Sequence, residues 1–152
     1  MLRERLNKEL KKSMLAKEQC ATATLRLILA ALKDRDIAGR SKGQSDGIGE
    51  AEILSMLQTM IKQRRESIEM YTKGGREELA KREGEEIEVI QRFLPAQMND
   101  AAIEAAIGKT VKSVGASGLK EMGKVMAALR EDYAGQMDFA KAGAIAKKLL
   151  ST

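Results

Sequence analysis

Apolar residues recur every three or four positions over most of this 152-residue chain, which is the spacing of an amphipathic helix. No segment shows a convincing strand alternation, so the pattern predicts an all-α fold. Four helices are expected in the first part: one with Leu2, Leu6, Leu10 and Met14 facing inward; Thr22–Ile37 with Leu25, Ile28, Leu29 and Leu32; Glu50–Thr72 with Ile53, Leu57, Met60, Ile61 and Ile68; and Arg76–Phe93 with Leu79, Ile87, Ile90 and Phe93.

Breaks in the pattern divide the chain. The Gly- and Ser-rich stretch Ala38–Gly49 predicts a mobile loop. Pro95 is the single proline and turns the chain, because the residue before a proline is disfavoured in a helix. We therefore expect two domains, residues 1–95 with four helices and residues 96–152 with three. The three helices of the second domain, with their predicted N-caps, are Asp100–Val114 (Asn99), Gly118–Tyr133 (Ser117) and Asp138–Leu150 (Asp138).

Composition narrows the classes of protein. Aromatic residues make up 3% of the chain, so Ala, Leu, Ile and Met must fill the interior. The net charge of +5 permits an acidic partner, although many proteins without one carry as much. A single cysteine, Cys20, fits a reducing compartment and is expected to be a small buried residue. The N-terminus resembles neither a signal peptide nor a transit peptide, and we predict a cytoplasmic protein.

The sequence offers little for catalysis or metal binding. It contains no histidine, which is the commonest general base, and neither a phosphate-binding P-loop motif nor a GxSxG nucleophile motif. The carboxylates of Glu83–Glu88 are better explained by ion pairs four residues apart, such as Arg82–Glu86, than by a metal site. We expect no catalytic residue, no metal ligand and no cofactor.

Several basic residues are candidates for binding an anion. Arg64 and Arg65 lie on the third helix, and Arg76 follows Gly74 and Gly75, where backbone N–H groups could meet a phosphate. The alternative is a glycine-capped helical hairpin in which Arg64 and Arg76 bind carboxylates such as Glu83 or helix-end carbonyls. Shorter basic stripes lie on two other helices: Arg26 with Lys33, and Lys120 with Lys124.

Three segments carry a family resemblance: TLRLILAALKDRDI, LQTMIKQRRESIEMYTKGGREELAKREGEEIEVIQRFLP and GLKEMGKVMAALREDYAGQMDFAKAGAIAKKLL. Together they resemble the GatB/YqeY family, and most closely its stand-alone YqeY-like proteins. The resemblance implies a four-helix domain followed by a small three-helix domain. In GatB, a subunit of glutamine-dependent tRNA amidotransferase, the similar tail helps to hold tRNA. The motif around Met122–Met126 thus adds Gly123 to Lys120 and Lys124 as candidates for RNA binding.

Three functions follow from these observations. The first is a non-catalytic module that binds tRNA or another structured RNA by its backbone, through Arg26, Lys33, Arg64, Arg65, Arg76, Lys120, Gly123 and Lys124. The second is a protein-interaction adaptor for an amidotransferase or an aminoacyl-tRNA synthetase, which would show exposed apolar patches. The third, carbon–nitrogen ligase activity, is implied only by the family name, since nothing in the chain replaces the amidotransferase catalytic core.

Overall fold

The computed structural model describes residues 1–151, and in this part of the chain all regular structure is helical. The predicted all-α fold is therefore confirmed. The seven α-helices are α1 (Leu2–Leu15), α2 (Gln19–Arg40), α3 (Glu50–Lys73), α4 (Glu77–Gln91), α5 (Asp100–Val114), α6 (Met122–Asp132) and α7 (Phe139–Leu150), with a 3₁₀ turn at Leu119–Glu121 before α6.

The contacts divide the chain into two compact units that meet in sequence at Pro95. In the unit up to Leu94, α2 packs against α1, α3 and α4, and α3 and α4 form a hairpin. Its core includes the fully buried side chains of Leu6, Ile28, Leu57 and Ile90. In the second unit α5, α6 and α7 pack pairwise around Ile107, Val125 and Leu129. Whether each unit folds independently, as the word domain implies, stays a prediction.

Two of the predicted N-caps are present and one is wrong. The Asn99 side chain accepts a hydrogen bond from the Ala102 N–H at 2.8 Å, and Asp138 caps α7 in the same way through the Ala140 N–H at 2.9 Å. Ser117 instead donates through its hydroxyl to Glu121 at 3.1 Å, and the residue at the N-cap position is Gly118, which has no side chain to accept a hydrogen bond. The sixth helix starts as a 3₁₀ turn at Leu119–Glu121, and its α-helical part begins only at Met122.

Two predicted core positions are exposed. Met14 is 50% exposed, whereas its neighbour Ser13 is buried. A spacing of four residues advances about 40° more than one turn, so three such steps rotate Met14 about 120° away from Leu2. Cys20 is exposed as well, because it lies on the outer side of the first turn of α2.

The C-terminal end of the predicted mobile loop, Ala38–Gly49, is held by contacts with α1 and α2. The Nη1 and Nη2 atoms of Arg3 each donate to one carboxylate oxygen of Asp36 at 2.6 Å, and Nη2 also donates to the Ile48 carbonyl at 2.9 Å. Asp36 in turn accepts from the Ile48 N–H at 2.9 Å, and the Ile48 side chain is buried. Gly47, with a φ of +98°, lies so close to Arg3 and Asp36 that a Cβ there would collide with both.

The same contacts perturb the ionisation of both charged groups. Hydrogen bonds from the Arg3 side chain lower the pKa of Asp36, whereas desolvation by burial raises it. The hydrogen bond from the Ile48 N–H and the nearby charges of Arg3 and Arg40 lower the pKa further. Asp36 likewise raises the pKa of Arg3. The ion pair therefore ties α1, α2 and the end of the loop together, a role that sequence spacing did not reveal.

Candidate nucleic-acid interface

Arg64 lies between α3 and α4 and is largely removed from solvent. Its Nε donates to Glu86 Oε2 at 2.9 Å and lies 4.0 Å from Glu83 Oε2, while its Nη1 donates to the Met60 carbonyl at 3.2 Å. Only 13% of its side chain is exposed. This geometry matches the alternative in which Arg64 fixes the α3–α4 hairpin. The sequence predicted that Glu86 pairs with Arg82, but Glu86 pairs with Arg64 instead. With Glu83 and Glu86 beside it and little of its side chain in solvent, this guanidinium is poorly placed to bind a phosphate.

The turn after α3 is a glycine cap whose N–H groups are already used. The Gly75 N–H donates to the Thr72 carbonyl at 3.2 Å, and the Arg76 N–H donates to the Tyr71 carbonyl at 2.8 Å. Gly75 adopts the left-handed conformation, with a φ of +73°, that this type of cap requires. These N–H groups therefore satisfy the last carbonyls of α3 and are not free to bind a phosphate.

The remaining basic candidates of the first unit are exposed. Arg65 lies next to Arg64 but points to solvent, and Arg76 is exposed at the start of α4. Arg26 and Lys33 share the outer face of α2, as their spacing predicts. None of these four side chains forms an ion pair with another residue in the range 1–151.

In the second unit, Lys120 lies in the 3₁₀ turn that leads into α6, and Gly123 and Lys124 lie in the first turn of α6. All three are exposed, and neither lysine is paired with a carboxylate within residues 1–151. The nearest acidic residue in sequence, Glu121, instead accepts hydrogen bonds from Ser117. This face, defined by Lys120, Gly123, Lys124 and the exposed Ala127, is called the α6 basic face below.

Gly123 is not explained by packing within the chain. A Cβ added to it would meet no atom within 4 Å, so alanine would fit at this position without a clash. Glycine inside a helix is less favourable than alanine by about 1 kcal/mol. Glycine is, however, suited to positions where another molecule approaches the backbone closely. The α6 basic face therefore combines two unpaired positive charges with an accessible stretch of backbone.

No alternative chemical site emerges from residues 1–151. They contain no cluster of three or more His, Cys, Asp or Glu side chains that could hold a metal ion. In the acidic stretch Glu83–Glu88, two carboxylates face Arg64. No helix in this range is both long enough and apolar enough to cross a lipid bilayer.

Comparison with known proteins shows which family the chain belongs to. Residues 3–150 match the family described as Yqey-like protein. The chain is 38% identical over 101 residues to Altered inheritance of mitochondria protein 41, mitochondrial, from Eremothecium gossypii. The aligned segment covers 66% of this chain and 53% of that relative. The protein of the same name from Kluyveromyces lactis is 31% identical over 91 residues, covering 60% of this chain and 47% of the relative.

The chain spans about half the length of the curated relatives it matches. Their names describe inheritance of mitochondria and a mitochondrial location, and mention neither tRNA nor an amidotransferase. The resemblance to YqeY-like proteins is therefore confirmed. RNA binding, the two suggested protein partners and a cytoplasmic location stay predictions.

Proposed function

The chain belongs to the Yqey-like protein family, and from this premise we propose that it is a non-catalytic helical module that binds structured RNA by its backbone through the α6 basic face. The observation that carries the proposal is Gly123, an exposed helical glycine without a packing role between two unpaired lysines. Lys120 and Lys124 supply the charge that phosphates attract, and Gly123 lets a ribose or phosphate approach the helix backbone.

Folded RNA is a better ligand for this face than an unpaired strand. Proteins that bind single strands stack bases on aromatic side chains, and this chain has two Tyr, two Phe and no Trp. One of the two phenylalanines, Phe93, is buried under Arg5, and the other, Phe139, lies beneath Arg130. Recognition by shape and backbone, as with double-stranded or folded RNA, requires no such stacking. Transfer RNA is the ligand implied by the likeness to the GatB tail.

A salt series of tRNA binding tests the proposal directly. The full chain should bind bulk tRNA, and the logarithm of the affinity should fall linearly with that of the salt concentration. Replacing Lys120 or Lys124 by Ala should weaken binding and reduce the slope by about 1 for each phosphate that the variant no longer binds. Lys148→Ala, at an exposed position on α7, is the matched control and should leave the slope unchanged.

Gly123→Ala provides a second and sharper test. Because the added methyl group has open space, it should raise stability by about 0.5–1 kcal/mol through helix propensity. The same methyl group should weaken tRNA binding several-fold by holding the ligand away from the backbone. Complete displacement of tRNA by duplex DNA, or equal affinity in the wild type, Gly123→Ala and the two lysine variants, would exclude this face as a specific RNA site.

A further inference from the structure

The outer face of α2 carries an exposed apolar row that no other helix of the first unit covers. Successive members are alternately three and four residues apart, so they lie in line along the helix. The large members, Leu27 and Ile37, are 49% and 51% exposed. All members of the row are exposed, and five of the six are apolar or small: Cys20, Ala23, Leu27, Ala30, Asp34 and Ile37.

A row of positive charges runs beside this apolar row. Arg26, Lys33 and Arg40 are each seven residues apart, which places them on one flank of α2 at intervals of about 10 Å. All three are exposed, and none forms an ion pair within the described part of the chain. We propose that this outer face of α2, the α2 docking face, binds an amphipathic helix of another protein that has an apolar face and an acidic flank.

Charge complementarity distinguishes this occupant from a second copy of the chain. If two α2 helices packed antiparallel about a two-fold axis, the same flank of each would meet, and the row of Arg26, Lys33 and Arg40 would face its own equivalent. In a parallel pair that row would face the opposite flank, which carries Ala31, Ala38 and Arg35 and no carboxylate. Both arrangements leave the basic row without an acidic partner, and the first is repulsive.

Two other classes of ligand fit the α2 docking face less well. A phosphate backbone would satisfy the basic row but would leave Leu27 and Ile37 without an apolar partner. An anionic lipid surface would repel Asp34, which lies within the apolar row. A partner helix satisfies all of these groups, with acidic residues seven positions apart facing the basic row and a hydrogen-bond donor opposite Asp34. Asp34 would then set the register of the pair.

Photocrosslinking at Ala30 tests this inference in the cells that make the protein. Ala30 lies in the middle of the exposed face of α2, so benzoylphenylalanine placed there should link to the partner helix. The linked segment, identified by mass spectrometry, should be an amphipathic helix with an acidic flank, and the product should survive ribonuclease. The same residue at Ala144, an exposed alanine of α7, is the control and should not give this product.

Charge reversal then tests the geometry. Binding of the identified segment, made as a synthetic peptide, should weaken at least tenfold in Lys33→Glu, and reversing the facing acidic residue of the peptide should restore it. Leu27→Gln should also weaken binding, whereas Met70→Gln, at a more exposed apolar position, should not. A crosslink to RNA, lipid or a second copy, the absence of a product, or a linked segment without an acidic flank would overturn the inference.

This test is separable from that of RNA binding. The α6 basic face and the α2 docking face share no residue, and variants of one are controls for the other. Lys124→Ala should leave the peptide affinity unchanged, and Leu27→Gln should leave the salt dependence of tRNA binding unchanged. Failure of either test therefore says nothing against the other proposal.

Discussion

At the scale of single residues, the structure separates arginines with similar sequence contexts. Arg64 and Arg65 are neighbours in a basic stretch, yet one is held by Glu86 and the Met60 carbonyl while the other faces solvent. Because Arg64 lies three and four residues after Ile61 and Met60, apolar spacing places it at the edge of the buried stripe of α3. It did not show that a carboxylate of α4 lies there, since that depends on how the two helices pack.

Removing Arg64 should therefore affect folding more than RNA binding. Arg64→Ala leaves Glu86, whose side chain is only 19% exposed, without its partner, and we expect a loss of about 2–3 kcal/mol in the free energy of unfolding. Arg65→Ala is the matched control and should change it by less than about 0.5 kcal/mol. Urea denaturation measures both. Equal stability of the two variants would contradict the assigned role of Arg64.

The Arg3–Asp36 pair predicts a pH dependence with a defined sign. The pKa of Asp36 is lowered in the folded state, so its contribution to stability is present above the unfolded pKa of about 4 and is lost as the pH falls through the lower folded value. Asp36→Asn should remove this part of the acid dependence, while Asp34→Asn, at an exposed position on the same helix, should keep it. Denaturant midpoints between about pH 2 and 6, a range that spans the reference pKa of Asp, measure the difference.

At the scale of elements, helix ends depend on single positions with positive φ. Gly75 and Gly115 end α3 and α5 in the left-handed conformation, which glycine adopts without strain. The same kind of cap follows α1, where the Lys17 N–H donates to Met14 and the Glu18 N–H to Ser13. There, however, the left-handed residue is Lys17, with a φ of +58°.

Lys17→Gly should therefore stabilise the protein, which is uncommon for a substitution to glycine. Relief of the strained backbone is worth about 1–2 kcal/mol. The greater entropy of glycine in the unfolded chain offsets about 0.4–1 kcal/mol of this, so the free energy of unfolding should rise by about 0.5–1 kcal/mol. Gly75→Ala should lower it by a comparable amount for the opposite reason. Thermal or urea unfolding of both variants measures the two changes, and a destabilised Lys17→Gly protein would show that this cap is not strained.

The loop before α3 provides a matched pair of glycines. Gly47 and Gly43 both have positive φ, but only at Gly47 would a Cβ collide with the Arg3–Asp36 pair, whereas Gly43 has open space. Gly43→Ala should cost about 1 kcal/mol from backbone strain alone. Gly47→Ala should cost about 1–3 kcal/mol more, because it also separates the charged partners. Equal losses in urea unfolding would mean that the ion pair adjusts without penalty.

At the scale of the whole molecule, the presence of two separate cores predicts that a truncation in one core destabilises only the unit that contains it. Leu57 belongs to the first core and Ile107 to the second, and both are fully buried. Truncating either one to Ala should remove about 2–5 kcal/mol of stability from its own unit. Hydrogen exchange should then show faster exchange in α3 for the first variant and in α5 for the second. Equal loss of protection in all seven helices would show a single cooperative unit instead.

The sequence by itself determined the helical class, the approximate positions of the seven α-helices in residues 1–151 and the break near Pro95. These features follow from local properties: apolar spacing matches the period of the helix, and Asn99 and Asp138 cap their helices with their own side chains. The quoted segments also pointed to the family that residues 3–150 match. Local patterns were sufficient because each of these features depends on residues that are close in the chain.

Tertiary structure decided which polar groups remain available to a partner. Arg64 meets Glu86 across 22 positions, and Arg3 meets Asp36 across 33, so no local pattern contains both members of either pair. The availability of Lys120 and Lys124, the open space at Gly123 and the uncovered apolar row of α2 are likewise set by which neighbouring elements are near and which are not. Sequence spacing assigns a residue to a face of its helix, but only the packing of the helices determines what that face contacts.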